Sequence, residues 1–311
     1  MGSSRWTDLL DPTEEELRKE LPGDFQADDL IELLREPTAE AENIRPTLRP
    51  RGSYVFGVLL VAVAVPEEDR VFYQEIDLVV THGRILTVRK TPPGEEPFDS
   101  SGIREVCDRR AEDLPPGVVA YHLVDEVSER FLDLLDDVDA EIDELEEEID
   151  RWPAEQTRRR LSELRHDLLH IRQTLAPTRD AVRAVVDGRV DIEGRALFTR
   201  EVFPPEVERQ FASAYDKLLR AAESLELSRD LLAAARDYHQ SKIANDQNEV
   251  MKTLTAIASI LLVPTFIVGV YGQNFDHMPE LHWHLGYLFS WGVIGLTTVL
   301  QVVYFRRKGW L

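Results

Sequence analysis

The residues best suited to binding a ligand lie near the C-terminus, where Tyr271, Gly272, Gln273, Asn274 and Phe275 end a long apolar run. The carboxamide of Asn274 offers a neutral oxygen at that point. A hard divalent cation that loses water reluctantly can be bound by such oxygens with its hydration shell in place. Gly272 has no side chain and lets the backbone turn beside it. If several chains met here, their Asn274 side chains would form the entrance of a cation pathway.

Other kinds of chemistry have less support in the sequence. His277, His282 and His284 lie on or beside the segment that follows, and they suit either a zinc site or plain exposure to solvent. The single cysteine, Cys107, can form neither an internal disulfide nor a thiolate cluster. The chain has no Walker motif, no nucleophile elbow and no other phosphate-binding loop. We therefore expect neither an enzyme nor an organic cofactor.

Two uncharged runs lie at the C-terminal end of the chain, at residues 253–275 and 285–305. A helix made from the first would be roughly 35 Å long, enough to cross the hydrocarbon core of a bilayer. Runs of this length rarely occur twice in one small soluble domain. We predict two transmembrane spans, at about 253–272 and 285–305.

The charges that flank these runs predict their orientation. Lys252 precedes the first run, and Arg306, Arg307 and Lys308 follow the second, whereas the connecting residues 276–284 include neither Lys nor Arg. Basic residues stay on the cytosolic side. The sequence thus predicts a multi-pass protein of the plasma (inner) membrane with both termini in the cytosol. Because two helices cannot enclose an aqueous pathway, transport would need several copies around an axis.

The net charge of −22 is concentrated in the part of the chain before the spans. From residue 253 onward the charged residues sum to +1, which leaves −23 for residues 1–252. An acidic surface repels nucleic-acid phosphates, so DNA or RNA partners are not expected. The same charge suits a protein that handles divalent cations, although it also serves solubility alone.

The soluble part divides by pattern into an α/β segment and a helical segment. Residues 1–124 include β-branched runs at 54–65, 71–80 and 84–89, which predict strands of a small α/β domain. From Asp125 the apolar steps of three and four predict helices, first an acidic one, in which eleven of residues 133–150 are Asp or Glu, and then an Arg-rich one. We expect an antiparallel hairpin with complementary faces; the alternative is that some acids form a weak divalent-cation site.

A further helix is predicted to begin at Pro204 and Pro205. No other Pro or Gly occurs before Pro264, so residues 205–272 can form one helix that leads directly into the first span. The predicted domains are therefore 1–124, 125–252 and 253–311.

The motif and its position resemble those of the CorA family of magnesium transporters. A Gly-x-Asn tripeptide ends the first of two C-terminal spans, and Met278, Pro279, Glu280 and Leu281 follow it. The family's usual tetrad is Tyr-Gly-Met-Asn, and here Gln273 replaces the Met. The resemblance implies an α+β fold: a funnel-shaped homopentamer with a cytosolic α/β/α domain, long coiled-coil-like stalk helices and two transmembrane helices.

The resemblance also implies a pore stripe, defined here as the lining positions on the long helix below the entrance. Gly272, Gln273 and Asn274 would form the selectivity filter for hydrated Mg²⁺. The stripe comprises Thr265, Leu262, Leu254, Met251, Asn248 and Asp237. Its apolar members suit a constriction that closes by expelling water, whereas Asn274 and Asp237 could contact the metal ion. Each apolar member could instead be ordinary helix packing.

Gating by intracellular Mg²⁺ is a further implication, since bridging cations would draw together acidic subunits that otherwise repel one another. The candidate regulatory ligands are Asp99, Asp216, Glu223 and Asp230. Relatives often place an acid shortly before the position of Asp216, where this chain has Ser213. The main hypothesis is a Mg²⁺ channel that also passes Co²⁺ or Ni²⁺. The alternatives are a Zn²⁺ transporter of the same superfamily and a membrane sensor without transport.

Overall fold

The computed structural model describes residues 6–37, 44–65, 70–110, 114–190, 192, 201–273, 278 and 283–311. The chain divides into two compact units, Met1–Ala235 and Arg236–Leu311. Strands in the described residues are β1 (Trp6–Leu10), β2 (Thr47–Pro50), β3 (Val55–Val65), β4 (Arg70–Val80) and β5 (Ile85–Arg89). Helices there are α1 (Glu14–Glu20), α2 (Ala27–Leu33), α3 (Ser101–Arg110), α4 (Pro116–Glu148), α5 (Ala154–Val186), α6 (Pro205–Tyr271) and α7 (Gly286–Arg307).

The five strands form one sheet in the order β1-β5-β4-β3-β2. β1 runs parallel to β5, and the other neighbours are antiparallel. β3 and β4 pair along their whole lengths, and their β-branched side chains are mostly buried, as in a sheet covered on both faces. The three predicted strands are confirmed to within one residue at their starts, whereas the strand order was not predicted.

Helices α4 and α5 form the predicted antiparallel hairpin, but α4 begins earlier than the sequence analysis placed it. The helical pattern was predicted from Asp125, and the structure starts the helix at Pro116, a residue suited to a first turn. The extra turns bury Val119, Leu123 and Val124, and α4 packs on β3. Residues 116–124 contain no Asp, Glu, Lys or Arg, so they lack the pattern of charged and apolar positions that marks a helix, and the start of α4 was missed.

The expected pairing of an acidic with a basic face is only partly correct. Arg160 crosses the hairpin to Glu141, with 3.0 Å between the charged atoms. Arg158 and Arg159 instead pair within α5, with Glu155 and Glu163. In the described residues no three His, Cys, Asp or Glu side chains are placed to hold a metal ion, so the acids of α4 give no support there to the divalent-cation alternative.

A buried cluster of charged side chains on β4 and at the end of β5 was not predicted from the sequence. Lys90 Nζ lies 2.7 Å from Glu75 Oε1 and 2.9 Å from Asp77 Oδ2. Arg35 contacts the same Glu75 oxygen at 3.0 Å. The other oxygen of Asp77, Oδ1, has no hydrogen-bond partner within the described residues. Burial raises the pKa of Asp77 to about 8; Lys90 lowers it and Glu75 raises it further.

This cluster predicts a pH dependence of stability that Asp77→Asn should remove. The pKa of folded Asp77 lies above its ordinary value of 3.8, so its contribution to the unfolding free energy is complete below that value and is lost as the pH rises through about 8. The variant, which cannot ionise, should gain roughly 2–3 kcal/mol relative to wild type between pH 6 and 8, because each pH unit is about 1.4 kcal/mol.

Thermal unfolding of the full chain in detergent at several pH values measures this difference. Asp28→Asn is the control, since Asp28 is an exposed carboxylate of the same unit. Parallel pH profiles for wild type and Asp77→Asn would contradict the prediction.

Candidate functional site

Helix α6 is one uninterrupted helix of 67 residues, as the sequence predicted, and it includes Pro264. A segment of α6 and the whole of α7 are long and apolar enough to cross a membrane. Large apolar side chains along both helices are exposed in the single chain, including Leu262, Phe266 and Tyr287. Such a surface needs lipid or further protein around it, which favours membrane insertion over a soluble core helix.

The pore stripe and the α7-facing side of α6 lie on different faces of the helix. Gln301 of α7 donates from Nε2 to the carbonyl oxygen of Ser259 at 3.1 Å. On that side of α6, Ala256 is fully buried and Val263 is half-buried. At about 100° per residue, the centre of this side lies about 110° from the centre of the stripe. The packing of α7 thus leaves the stripe uncovered.

The side chains of the stripe are exposed, and those above Lys252 are apolar or neutral. Met251 and Leu254 are each 58% exposed and Leu262 is 69% exposed. Thr265 is exposed and donates its hydroxyl to the carbonyl of Leu261 at 2.7 Å, which satisfies the donor without another subunit. Asn248 and Asp237, the polar members nearer the N-terminal end, are also exposed. A second copy of the chain could therefore approach the stripe without displacing α7.

The predicted selectivity filter is only partly described. Gly272 and Gln273 continue the last turn of α6, their N–H groups donating to Val268 and Val270 at 2.8 and 3.3 Å. A Cβ on Gly272 would lie 3.2 Å from the Val268 carbonyl oxygen, so glycine fits this close turn best. Asn274 lies outside the described residues, and its role stays a prediction.

Most of the histidines considered as zinc ligands also lie outside the described residues. His277 and His282 fall in undescribed segments, as do Asp276 and Glu280, whereas His284 is exposed before α7. The zinc interpretation therefore remains a hypothesis on sequence grounds alone.

The four candidate regulatory acids are not brought together in the described part of the chain. Asp99 accepts hydrogen bonds from the amide and hydroxyl of Ser101, at 2.9 and 2.7 Å, and these lower its pKa. Asp99 thus fixes the start of α3. Asp216, Glu223 and Asp230 are exposed along α6, spaced by seven residues or about 10.5 Å, too far apart for one ion. Any shared ion would need ligands from another chain.

The structure also shows polar contacts between α4 and α6 that sequence reasoning missed. Lys217 Nζ lies 2.7 Å from Asp125 and 2.6 Å from Glu129. Burial lowers the pKa of Lys217, but hydrogen bonds to both carboxylates outweigh it, so the pKa is raised. Ser228 donates to Asp139 at 2.5 Å. Ser228 is fully buried, and a serine among the regularly spaced apolar residues of this helix was the signal that could have predicted the contact.

A comparison with family models matches residues 2–307 to the CorA-like Mg²⁺ transporter protein family. The chain belongs to this family. Members are transporters, and Mg²⁺ is the ion they move, so the resemblance based on the Gly-x-Asn motif is confirmed.

Individual relatives of this CorA-like chain agree with the assignment. The cobalt/magnesium transport protein CorA of Thermotoga maritima is 32% identical over 277 residues, covering 86% of this chain and 73% of the relative. The structure of the CorA magnesium transporter from Methanocaldococcus jannaschii matches with a TM-score of 0.77 at 21% identity, covering 98% of this chain and 91% of that chain. This full-length likeness confirms the predicted fold of the single chain, with an N-terminal α/β domain, a long helix and two C-terminal apolar helices; the homopentamer stays a prediction.

A zinc-related neighbour is more distant. The cytoplasmic domain of ZntB from Vibrio parahaemolyticus matches with a TM-score of 0.57 at 14% identity, covering 77% of this CorA-like chain and 88% of that domain. At this identity the likeness concerns the fold alone.

Proposed function

We propose that this chain transports Mg²⁺ across the plasma membrane through a homopentameric pore, that Co²⁺ and Ni²⁺ also pass, and that intracellular Mg²⁺ closes the pore. The observation that carries the proposal is the family match over residues 2–307. The relative from Thermotoga maritima is a cobalt/magnesium transport protein, which supports the proposed class of ion. In this proposal residues 1–252 have the regulatory role and residues 253–311 cross the membrane, with both termini cytosolic. The pore lining continues along α6 from the spans to Asp237.

Entry would depend on Gly272, Gln273 and Asn274. Mg²⁺ loses its waters reluctantly, so a ring of amide oxygens would bind the hydrated ion rather than the bare one. Below this ring, Leu262, Leu254 and Met251 would narrow the pore with apolar side chains, and a narrow apolar segment dewets. The exposure of all three, on a face that α7 does not cover, supports this assignment. Asn248 and Asp237 would then receive the ion at the cytosolic end.

The charge of residues 1–252 supports the proposed closure by intracellular Mg²⁺. With −23 on residues 1–252 of each copy, neighbouring subunits repel when no cation is bound. Asp216, Glu223 and Asp230 are exposed and lie too far apart along one helix to share an ion. Ligation between neighbouring copies would therefore couple cation binding to subunit approach.

Flux into proteoliposomes tests the transport and the gating together. We expect Mg²⁺ to enter when internal Mg²⁺ is low. When millimolar Mg²⁺ is loaded inside, the rate of entry should fall by at least about tenfold, because Mg²⁺ that binds the closed pore more tightly than the open pore shifts the equilibrium toward the closed state. Zn²⁺ entry measured in parallel compares the two ions. Transport of Zn²⁺ without Mg²⁺ would replace the proposal by the zinc alternative, and the absence of any ion flux would favour a sensor without transport.

A further inference from the structure

A pair of histidines on α5 is not among the residues predicted to line the pore. His166 and His170 are four residues apart, and their ring centroids are 4.3 Å apart with an interplanar angle of 62°. Neither imidazole has a hydrogen-bond partner within the described residues. Two histidines at positions i and i+4 of a helix project from the same face and can ligate one ion, as in helical zinc sites.

A small cavity adjoins the pair where α5 passes the start of β4. Its volume is about 150 Å³, and it is lined by His166, Asp167 and His170 together with residues 70–73. That volume has room for an ion with several waters, since one water occupies about 30 Å³ in the liquid. The Asp167 carboxyl is half-buried beside the rings.

The basic groups nearest this cavity are already engaged with acids. Arg70 pairs with Glu95 and lies over the ring of Phe72, 5.7 Å from the centroid. Arg160 pairs with Glu141 across the hairpin. Their positive charges are therefore largely offset and do not exclude a cation from the cavity.

We propose that His166 and His170 bind a divalent transition-metal ion of the Co²⁺, Ni²⁺ and Zn²⁺ class, with water completing the coordination and Asp167 supplying nearby negative charge. Imidazole nitrogen suits these ions, whereas Mg²⁺ prefers carboxylate, carbonyl and water oxygens. Water must supply the remaining ligands, because the described residues place no third His, Cys, Asp or Glu at the ion. The soluble part would thus distinguish a transition-metal ion from Mg²⁺.

Cobalt titration of the full chain in detergent, followed by the visible absorption of the bound ion, tests this site. We expect His166→Asn and His170→Asn each to weaken this binding by at least about tenfold, because each removes one of two protein ligands. Excess Mg²⁺ should leave the Co²⁺ spectrum unchanged. His82→Asn is the matched control, since His82 is a lone exposed histidine in the turn between β4 and β5.

Three results would overturn the site: wild-type Co²⁺ affinity in either variant, an equal loss in His82→Asn, or displacement of the ion by Mg²⁺. Mg²⁺ flux through the double variant separates this site from transport, and we expect it to equal wild-type flux. His166 is exposed, so its replacement should not disturb folding; an unchanged melting curve checks this.

Discussion

Asn274→Ala is expected to lower Mg²⁺ uptake by proteoliposomes roughly a hundredfold while leaving the oligomer assembled. In the proposed entrance each carboxamide contacts the water shell of the ion. Losing several such contacts at about 0.5–1.5 kcal/mol each amounts to roughly 3 kcal/mol, or about a hundredfold in occupancy. Initial rates measured with a Mg²⁺-sensitive dye give the loss, and light scattering after size-exclusion chromatography gives the assembly.

The matched control for this experiment is Asn245→Ala. Asn245 is an exposed asparagine of the same helix α6. It lies about 115° around the helix from the centre of the pore stripe, so its replacement should leave uptake unchanged. Near-normal Mg²⁺ flux through Asn274→Ala, or an equal loss of flux in both variants, would contradict the proposed entrance of amide oxygens.

Leu262→Ser is expected to make the pore leak under conditions that close the wild type. A hydroxyl in place of each exposed leucine would let water enter the apolar constriction, and a wetted segment no longer blocks an ion. With millimolar Mg²⁺ inside, we expect residual flux to rise by about tenfold or more. If the closed pore loses about 1.4 kcal/mol of stability relative to the open pore, the ratio of open to closed pores rises about tenfold.

Ile257→Ser provides the comparison for this second experiment. Ile257 is also an exposed apolar residue of α6, but it lies about 140° around the helix from Leu262. Polarity introduced there should leave the closed pore tight. A leak in the Ile257 variant alone, or in both variants equally, would argue that the stripe does not line the pathway.

Local patterns were enough to predict much of the fold. The absence of Pro and Gly between Pro205 and Pro264 predicted the length of α6, and β-branched runs predicted β3 and β4. Both signals act over a few residues, so a single sequence contains them. The early start of α4 at Pro116 was missed because its apolar turns look alike in a helix and in a buried strand.

Contacts between segments that are far apart in the chain could not be predicted from the sequence. The burial of Asp77 beside Lys90 depends on elements that cover the sheet, and the bond from Ser228 to Asp139 joins residues 89 apart. Asp99 illustrates the same limit in the candidate site. The sequence analysis treated Asp99 as a candidate metal ligand, whereas in the structure its carboxylate accepts hydrogen bonds from Ser101 in the first turn of α3.

The uninterrupted course of α6 also restricts how this part of the molecule can change in length. Between Asp237 and Thr265 the chain has no loop in which an inserted residue could be accommodated. One extra residue there would turn every later side chain by about 100° and move it about 1.5 Å along the axis. Leu262 and Thr265 would then lie on a new side of the helix. Spacing within this segment is therefore as constrained as the identity of its side chains.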